Sequence, residues 1–424
     1  MNNSKSFDCI SMIGLGYIGL PTAAMFAARR KKVIGVDINP HAVDTINQGR
    51  IHIVEPELDM IVRSAVTEGF LRATTAPEPA DAFLVAVPTP FKDHFKPDVS
   101  YVQAAAESIA SVLRPGNLVI LESTSPVGTT EQMVEWLRAA RPDLRFPGPG
   151  VDAVDVNVAY CPERVLPGHV VRELVENDRI IGGLTAECSA RAVTLYRTFV
   201  QGELLVTNAR TAEMCKLTEN SFRDVNIAFA NELSIICDKL DIDVWELIRL
   251  ANHHPRVKIL QPGAGVGGHC IAVDPWFIVD RTPAEARLIR IAREVNDSKP
   301  AWVLDKVRQA IRGCCATPGS RVESDLNIAV LGLAFKPNID DLRESPALHV
   351  AEQLMNSTSA KVQFVEPNIE SLPRTLSTGQ LANLSTALVH SDIVVVLVSH
   401  REFSDLASHL RPAQIVIDAV GVLR

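Results

Sequence analysis

The densest reactive signal in the 424-residue sequence is a single thiol set among glycines, Gly263-Ala264-Gly265-Val266-Gly267-Gly268-His269-Cys270-Ile271-Ala272-Val273-Asp274. Glycine leaves space and backbone N–H groups uncovered, so Cys270 is expected to be accessible and surrounded by donors. A thiol with an ordinary pKa of about 8.5 becomes a working nucleophile when donors or cations lower that value. The seven other cysteines have no such setting and are expected to be small core residues. His269 and the pair His253-His254 invite a proton-transfer role, but isolated histidines are more often structural.

A second set follows helical spacing. Lys216, Asn220 and Arg223 stand at i, i+4 and i+7 and share one helix face. Such a stripe either meets solvent or, on a helix that is otherwise largely apolar, lines a ligand cleft. Loop cations at Arg164, Arg256, Lys336 and Arg343 add groups suited to phosphate, Arg by bidentate hydrogen bonding. Set against a net charge of −8, they imply a small anionic substrate.

A third signal is Gly14-Leu15-Gly16-Tyr17-Ile18-Gly19, a GxGxxG directly after the apolar run Ile10–Ile13 and before a helical run from Pro21. Gly14 permits the tight turn, Gly16 lets backbone N–H groups approach a pyrophosphate, and the following helix N-terminus attracts that anion. Asp37 closes the second strand-like run, where a carboxylate accepts from a ribose 2′-hydroxyl and repels a 2′-phosphate. The cofactor is therefore expected to be NAD and not NADP.

These groups need a scaffold, and the chain is long enough for about three domains. Short β-branched runs alternate with helical stretches from Cys9 to about Thr207, which predicts βαβ units and a parallel sheet. From about Ala209 to Gly313 helical periodicity dominates, with long helices over 212–239 and 285–312. The first is apolar over much of its circumference (Ile227, Phe229, Leu233, Ile236), which implies burial against other helices or a second subunit. A polar stretch from Ala316 to Asp325 marks a boundary, and the final hundred residues repeat the opening plan. Ile328–Leu333 echoes Ile10–Gly16, and Val362–Pro367 echoes the strand ending at Asp37, but the later glycines are missing, so no dinucleotide is expected there. The predicted fold class is α/β: two Rossmann-like, doubly wound parallel-sheet domains (1–207 and 316–424) joined by a central helical domain (208–315).

Composition narrows the function classes. With 47% hydrophobic and 22% charged residues and an acidic balance, disorder and a nucleic-acid-binding face are disfavoured. The cysteines show no CxxC pair and no zinc-ligand spacing, so no metal is expected and reduced thiols in the cytoplasm are. The uncharged stretch Cys9–Ala28 is interrupted by Gly14, Gly16, Gly19 and Pro21, which argues against a membrane anchor.

The ordered set GLGYIGLP, CPERVLPG (161–168), EMCKLTENSFRDVNIAFANE (213–232), GVGGHC (265–270) and GLAFKPNIDDLRESP (332–346) resembles the UDP-glucose/GDP-mannose dehydrogenase family over essentially the whole chain. GGHC and VDPW are similar to the branch that acts on N-acetylated aminosugars. The resemblance implies an NAD-binding domain, a helical dimerisation domain and a UDP-binding domain, with a UDP-aminosugar as substrate and a homodimer as the assembly. It also implies a four-electron oxidation of a sugar C6 alcohol to a carboxylate with two NADH formed. By the same resemblance Cys270 is the nucleophile and Lys216 a proton donor/acceptor or oxyanion stabiliser, with Asn220 beside it. Glu163 and Asp274 match the general base and water-positioning acid. Arg164, Val165, Lys216, Asn220, Arg223, His254, Arg256, Gly267, Phe335 and Lys336 match substrate positions. Tyr17, Ile18, Asp37, Thr89, Thr130 and Arg343 match NAD positions. Ala272 departs from the pattern, many relatives having proline there. Rival readings are a dehydrogenase of another UDP-hexose, a two-electron β-hydroxyacid dehydrogenase, which has no need of Cys270, and a non-catalytic nucleotide-sugar sensor.

Overall fold

The computed structural model describes residues 7–53, 55, 57–92, 95–151, 153–165, 168–268, 270–316 and 321–424. His269, and Leu166 and Pro167 of the CPERVLPG run, lie outside the described residues, as do 317–320 of the expected boundary stretch. The chain divides into two compact units, one running to Glu219 and taking in Trp276–Arg281, the other formed by Asn220–Pro275 and Thr282–Arg424.

The first unit is built on an eight-stranded sheet. Its strands are β1 (Cys9–Ile13), β2 (Lys32–Val36), β3 (Leu71–Thr74), β4 (Ala82–Val85), β7 (Leu118–Leu121), β8 (Asn157–Tyr160), β9 (Arg179–Gly183) and β10 (Leu204–Asn208). A two-stranded hairpin, β5 (Phe91–Lys92) with β6 (Lys96–Pro97), stands apart from it. The order is β10-β9-β8-β7-β4-β1-β2-β3. Central strands such as β4 and β7 are buried along their whole length, as strands covered by helices on both faces must be. Side chains alternate between two cores: Ile10, Met12, Leu84 and Ile120 join one, Ile13, Phe83, Val85 and Leu121 the other. The sheet departs from the all-parallel expectation at one place, since β8 and β9 pair antiparallel through Ala159 with Gly183 and Tyr160 with Gly182. Only two residues a side are joined there, so no apolar run records the reversal.

In the second unit, the C-terminal part of the helix Ala209–Lys239 and the helix Arg287–Cys315 precede a five-stranded parallel sheet. Its strands are β11 (Asn327–Leu331), β12 (Lys361–Val365), β13 (Gln380–Leu381), β14 (Ile393–Val396) and β15 (Ile415–Asp418), in the order β13-β12-β11-β14-β15. That order repeats β3-β2-β1-β4-β7. The repeat reaches the turn itself. Gly14 N–H donates to Val36 O at 2.8 Å and Gly332 N–H to Val365 O at 2.8 Å, with φ of 92° and 91° at the two glycines. A Cβ at Gly14 would lie 2.4 Å from Ala86 O and one at Gly332 2.5 Å from Val398 Cβ, so both turns require glycine.

Candidate functional site

In the first unit the glycine turn is shaped for an anion. A Cβ at Gly19 would strike Gly14 O at 1.8 Å, whereas one at Gly16 would meet nothing within 4 Å. Gly16 is exposed, so the open side of the turn is the side a ligand would occupy. The helix Gly19–Ala28 starts with no side-chain cap and no acidic residue in its first turn, leaving its N-terminal donors to an incoming anion. Asp37, partly exposed at the end of β2, accepts from Leu15 N–H at 2.9 Å and from Asn39 N–H at 2.9 Å. These features fit a dinucleotide: a cradle for the pyrophosphate and, about one strand away, a fixed carboxylate for a ribose. Tyr17 and Ile18 are partly buried on the same turn, and Thr89 donates its hydroxyl to Thr124 O at 2.6 Å. Thr130 is fully buried and gives its hydroxyl to Glu213 at 2.7 Å, while Glu213 also accepts from Gly128 N–H and Thr130 N–H. Glu213 thus takes up donors at the start of the helix Thr129–Ala140, and Thr130 is held there by both its N–H and its hydroxyl.

Glu163 is also in the first unit and is buried. Its Oε2 accepts from Arg179 Nη2 at 2.6 Å and its Oε1 from Arg164 N–H at 2.8 Å. The same guanidinium lies 3.4 Å from Glu122 Oε1, which Tyr196 contacts through its hydroxyl at 2.5 Å. Two buried carboxylates thus share one buried arginine. Burial pushes the Glu122 carboxyl up to about 7, Arg179 pulling the other way and Glu163 adding to the rise. Glu122, Arg179 and Tyr196 were not legible as site residues, because the contacts that join them close 57 and 74 residues of chain and leave no local pattern. Arg164 pairs with Glu219 at 2.8 Å, Val165 packs on the core, and half-buried Lys216 makes no ion pair among the described residues.

The second unit holds the thiol. Cys270 is exposed, and none of the eight cysteines is disulfide-bonded. Its carbonyl accepts from Val273 N–H at 3.0 Å and Asp274 N–H at 2.8 Å, a turn that leads into the helix Asp274–Arg281. Asp274 in turn accepts from Asn220 Nδ2 at 2.5 Å. Cys270, Asp274 and Asn220 are therefore brought together by direct links. The loop is anchored at its start, where Gly263 N–H donates to Asn231 Oδ1 at 2.8 Å. Asn231 belongs to a buried ladder joining the two long helices: Asn231 to Asn296 at 2.8 Å, Asn296 to Asp224 at 2.8 Å, and Arg293 to Asp224 at 2.6 Å. At its far end the loop rests on the second sheet's first turn. A Cβ at Gly267 would lie 2.2 Å from Glu344 O, and one at Gly268 2.9 Å from the Phe335 ring. Phe335 and Lys336 are partly buried on that turn. Arg223, His254, Arg256 and Arg343 are exposed; His254 Nδ1 faces Arg256 N–H at 3.3 Å, and Arg343 pairs with Asp341 at 2.6 Å. Among the described residues no cluster of His, Cys, Asp and Glu could hold a metal ion, and no helix is long and apolar enough to cross a membrane.

Three family models match in succession: the NAD-binding domain of the UDP-glucose/GDP-mannose dehydrogenases at residues 8–200, their central domain at 210–298 and their UDP-binding domain at 329–424. The chain belongs to the UDP-glucose/GDP-mannose dehydrogenase family. As a member it is an oxidoreductase that uses NAD, in accord with the glycine cradle and Asp37. Relatives in this family include a UDP-N-acetyl-D-mannosamine dehydrogenase of Escherichia coli (strain K12), 64% identical over 99% of this chain and 100% of that protein. An NDP-N-acetyl-D-galactosaminuronic acid dehydrogenase of Ralstonia nicotianae is 62% identical over 98% of this chain and 96% of its own. Among solved structures, a UDP-D-ManNAc dehydrogenase from Pyrococcus horikoshii superimposes with a TM-score of 0.87 at 39% identity, covering 98% of this chain and 96% of that one.

Proposed function

We propose that this protein oxidises the C6 hydroxyl of UDP-N-acetyl-D-mannosamine to the carboxylate of UDP-N-acetyl-D-mannosaminuronate, consuming one water and reducing two NAD. The observation that carries the reading is the exposed Cys270, held on a loop that rests on the Phe335 turn of the UDP-binding region and tied through Asp274 to Asn220. A two-electron alcohol oxidation needs no such thiol; carrying the aldehyde on to an acid does. The printed names of the E. coli and Pyrococcus relatives support the mannosamine configuration.

NAD, when bound, supplies the acceptor for the two hydrides that leave C6. The residues do the rest. Lys216, with no competing ion pair among the described residues, takes the hydroxyl proton as the aldehyde forms. The Cys270 thiolate adds to the aldehyde carbon, forming a C–S bond and an oxyanion held by Lys216 and Asn220 Nδ2; one well-placed donor of this kind contributes about 3–4 kcal/mol. Loss of the second hydride leaves a thioester. Water, deprotonated by Glu163 or Asp274, attacks it, the C–S bond breaks and the thiolate departs. Arg164, Val165, Arg223, His254, Arg256, Gly267, Phe335 and Lys336 hold the UDP-sugar, and Arg343 reaches the cofactor.

The same reading places the domain limits at 207/208 and 315/316, and the protein in the cytoplasm. It also makes the assembly a homodimer through the long helix, where Phe222, Phe229 and Ile236 recur at seven-residue intervals with Leu240 beyond. These residues are 71%, 51%, 46% and 62% exposed, an apolar stripe left uncovered within the chain. A second reading, favoured by the Ralstonia relative, is the galacto configuration, which presents the same C6 group.

The test is Cys270→Ser with a panel of UDP-N-acetylhexosamines. Wild type is expected to yield two NADH per uronate, and the variant at most one NADH and no uronate. Full turnover by the variant rejects the assignment, and the panel decides the sugar configuration.

A further inference from the structure

Besides the missing later glycines, the two halves of the internal repeat differ at the acid that closes the second strand. In the first sheet this is Asp37, partly exposed, with one oxygen on Leu15 N–H. In the second it is Glu366, which is buried. Its Oε2 accepts from Leu333 N–H at 2.8 Å and Ala334 N–H at 3.0 Å, and also faces His400 Nε2 at 3.0 Å. Its Oε1 accepts from Asn368 N–H and Nδ2, both at 3.1 Å. A carboxylate so surrounded has no lone pair facing outward for a ribose. His400, itself 2% exposed, fills the space and turns its other nitrogen to the same loop: Nδ1 lies 3.0 Å from Asn338 N–H. A backbone N–H can only donate, so Nδ1 is the acceptor, and the ring proton sits on Nε2, donated to Glu366. Asn338 is held at φ 62°, and its Oδ1 accepts from Arg401 N–H at 3.0 Å. Asparagine enters that region more readily than most residues, and these two contacts fix it there.

The loop after β11 is therefore pinned at Leu333, Ala334 and Asn338, and the residues left between the pins are Phe335, Lys336 and Pro337. We infer that Glu366 and His400 are positioning residues for the nucleoside diphosphate half of the substrate, holding the Phe335–Lys336 turn in its binding shape without touching the ligand. Burial favours the neutral carboxyl of Glu366, yet the hydrogen bonds from His400 and Leu333 N–H outweigh it and push the group down to about 2, so the clamp is anionic at neutral pH. The inference rests on the reading of residues 329–424 as the UDP-holding region. It adds an explanation of why the second sheet, with the same turn, lacks the dinucleotide site of the first: the ribose acid has become a loop clamp.

The test compares two polar replacements in the full chain. His400→Asn places an acceptor where Nδ1 was, facing Asn338 N–H. His400→Gln reaches toward Glu366 and leaves Asn338 N–H without a partner. Affinity for UDP alone is measured by calorimetry, with KM for UDP-sugar, KM for NAD, kcat and thermal midpoint measured alongside. The Gln variant is expected to bind UDP about tenfold more weakly and to raise the UDP-sugar KM by the same factor, about 1.4 kcal/mol. The Asn variant should stay within about threefold of wild type, and KM for NAD and kcat should hold in both. Equal UDP affinity in the two variants, or a Gln variant whose NAD KM rises in parallel with that for the sugar, overturns the positioning role. If wild-type protein does not bind UDP, the reading of the region itself fails, and the inference with it.

Discussion

Replacing Gly267 by alanine tests whether the nucleophile loop works by its exact seating on the second sheet. The added Cβ would lie 2.2 Å from Glu344 O, 2.5 Å from Pro346 Cδ and 3.1 Å from Phe335 Cβ, where ordinary contact begins at 3.4 Å. The worst overlap must open by about 1.2 Å. Neither close neighbour yields easily: Glu344 O is backbone at a residue with φ 49°, and Pro346 opens the helix Pro346–Ser357. The loop therefore moves, and Cys270 is three residues away. A displacement of about 1 Å at a reacting group can cost about 10²-fold in rate, so Gly267→Ala is expected to lower kcat for uronate formation about 10²-fold. Gly263→Ala is the control within the same loop, since a Cβ there meets only Gly265 O at 3.9 Å; it should stay within twofold of wild type. Stopped-flow NADH absorbance gives the rates, and iodoacetamide labelling shows whether Cys270 is still accessible. A Gly267→Ala enzyme with kcat within threefold of wild type refutes the argument that the loop's contact with residues 335–346 sets the thiol's position.

Two further outcomes follow from buried charge and exposed apolar surface. Glu122, with an ordinary value of 4.5, is pushed up to about 7 in the fold, so between about pH 4.5 and about 7 the native state keeps a proton that the unfolded chain has released. Its contribution then opposes folding increasingly as pH rises through that window, by on the order of 3 kcal/mol in all. Denaturant midpoints of wild type and Glu122→Gln should converge near pH 4.5, with the variant gaining relative to wild type toward pH 7, and a constant difference across the window contradicts the shift. Phe229→Asp, in the middle of the apolar stripe on the long helix, should halve the sedimenting mass while leaving the monomer folded; an unchanged mass removes this stripe from the interface.

What the sequence disclosed, and what it hid, divides by range. The two turns were legible because their constraint is local: a glycine at Gly14 or Gly332, with positive φ and no room for a Cβ, needs only the strand before it and the helix after it to be recognised. The parallel strands were legible for a similar reason, since burial on both faces writes continuous apolar runs such as Leu118–Leu121. The antiparallel pairing of β8 and β9 spans two residues a side and leaves no pattern. The exposed thiol was anticipated from its glycines. The partners that hold the site's acids were not, because each contact closes a long loop of chain: Arg179 reaches Glu122 across 57 residues and His400 reaches Glu366 across 34. Periodicity carries no information at such distances.

The same division bears on how the two halves of the chain came to differ. Both first turns keep the glycine, the 2.8 Å bond to the neighbouring strand and the acid that follows, so backbone geometry alone does not determine what is bound. The distinction lies in whether that acid is left partly open, as Asp37 is, or is enclosed by a residue from a later strand end, as Glu366 is by His400. Enclosure ties down three backbone N–H groups of the following loop, counting the one His400 itself accepts, which stiffens the segment that carries Phe335 and Lys336. A turn of the same backbone shape thereby serves as a rigid support. The Cys270 loop is seated separately, by the close approach of Gly267 to Glu344 O and Pro346 and of Gly268 to the Phe335 ring, so the clamp acts on the nucleotide half and the glycines on the thiol.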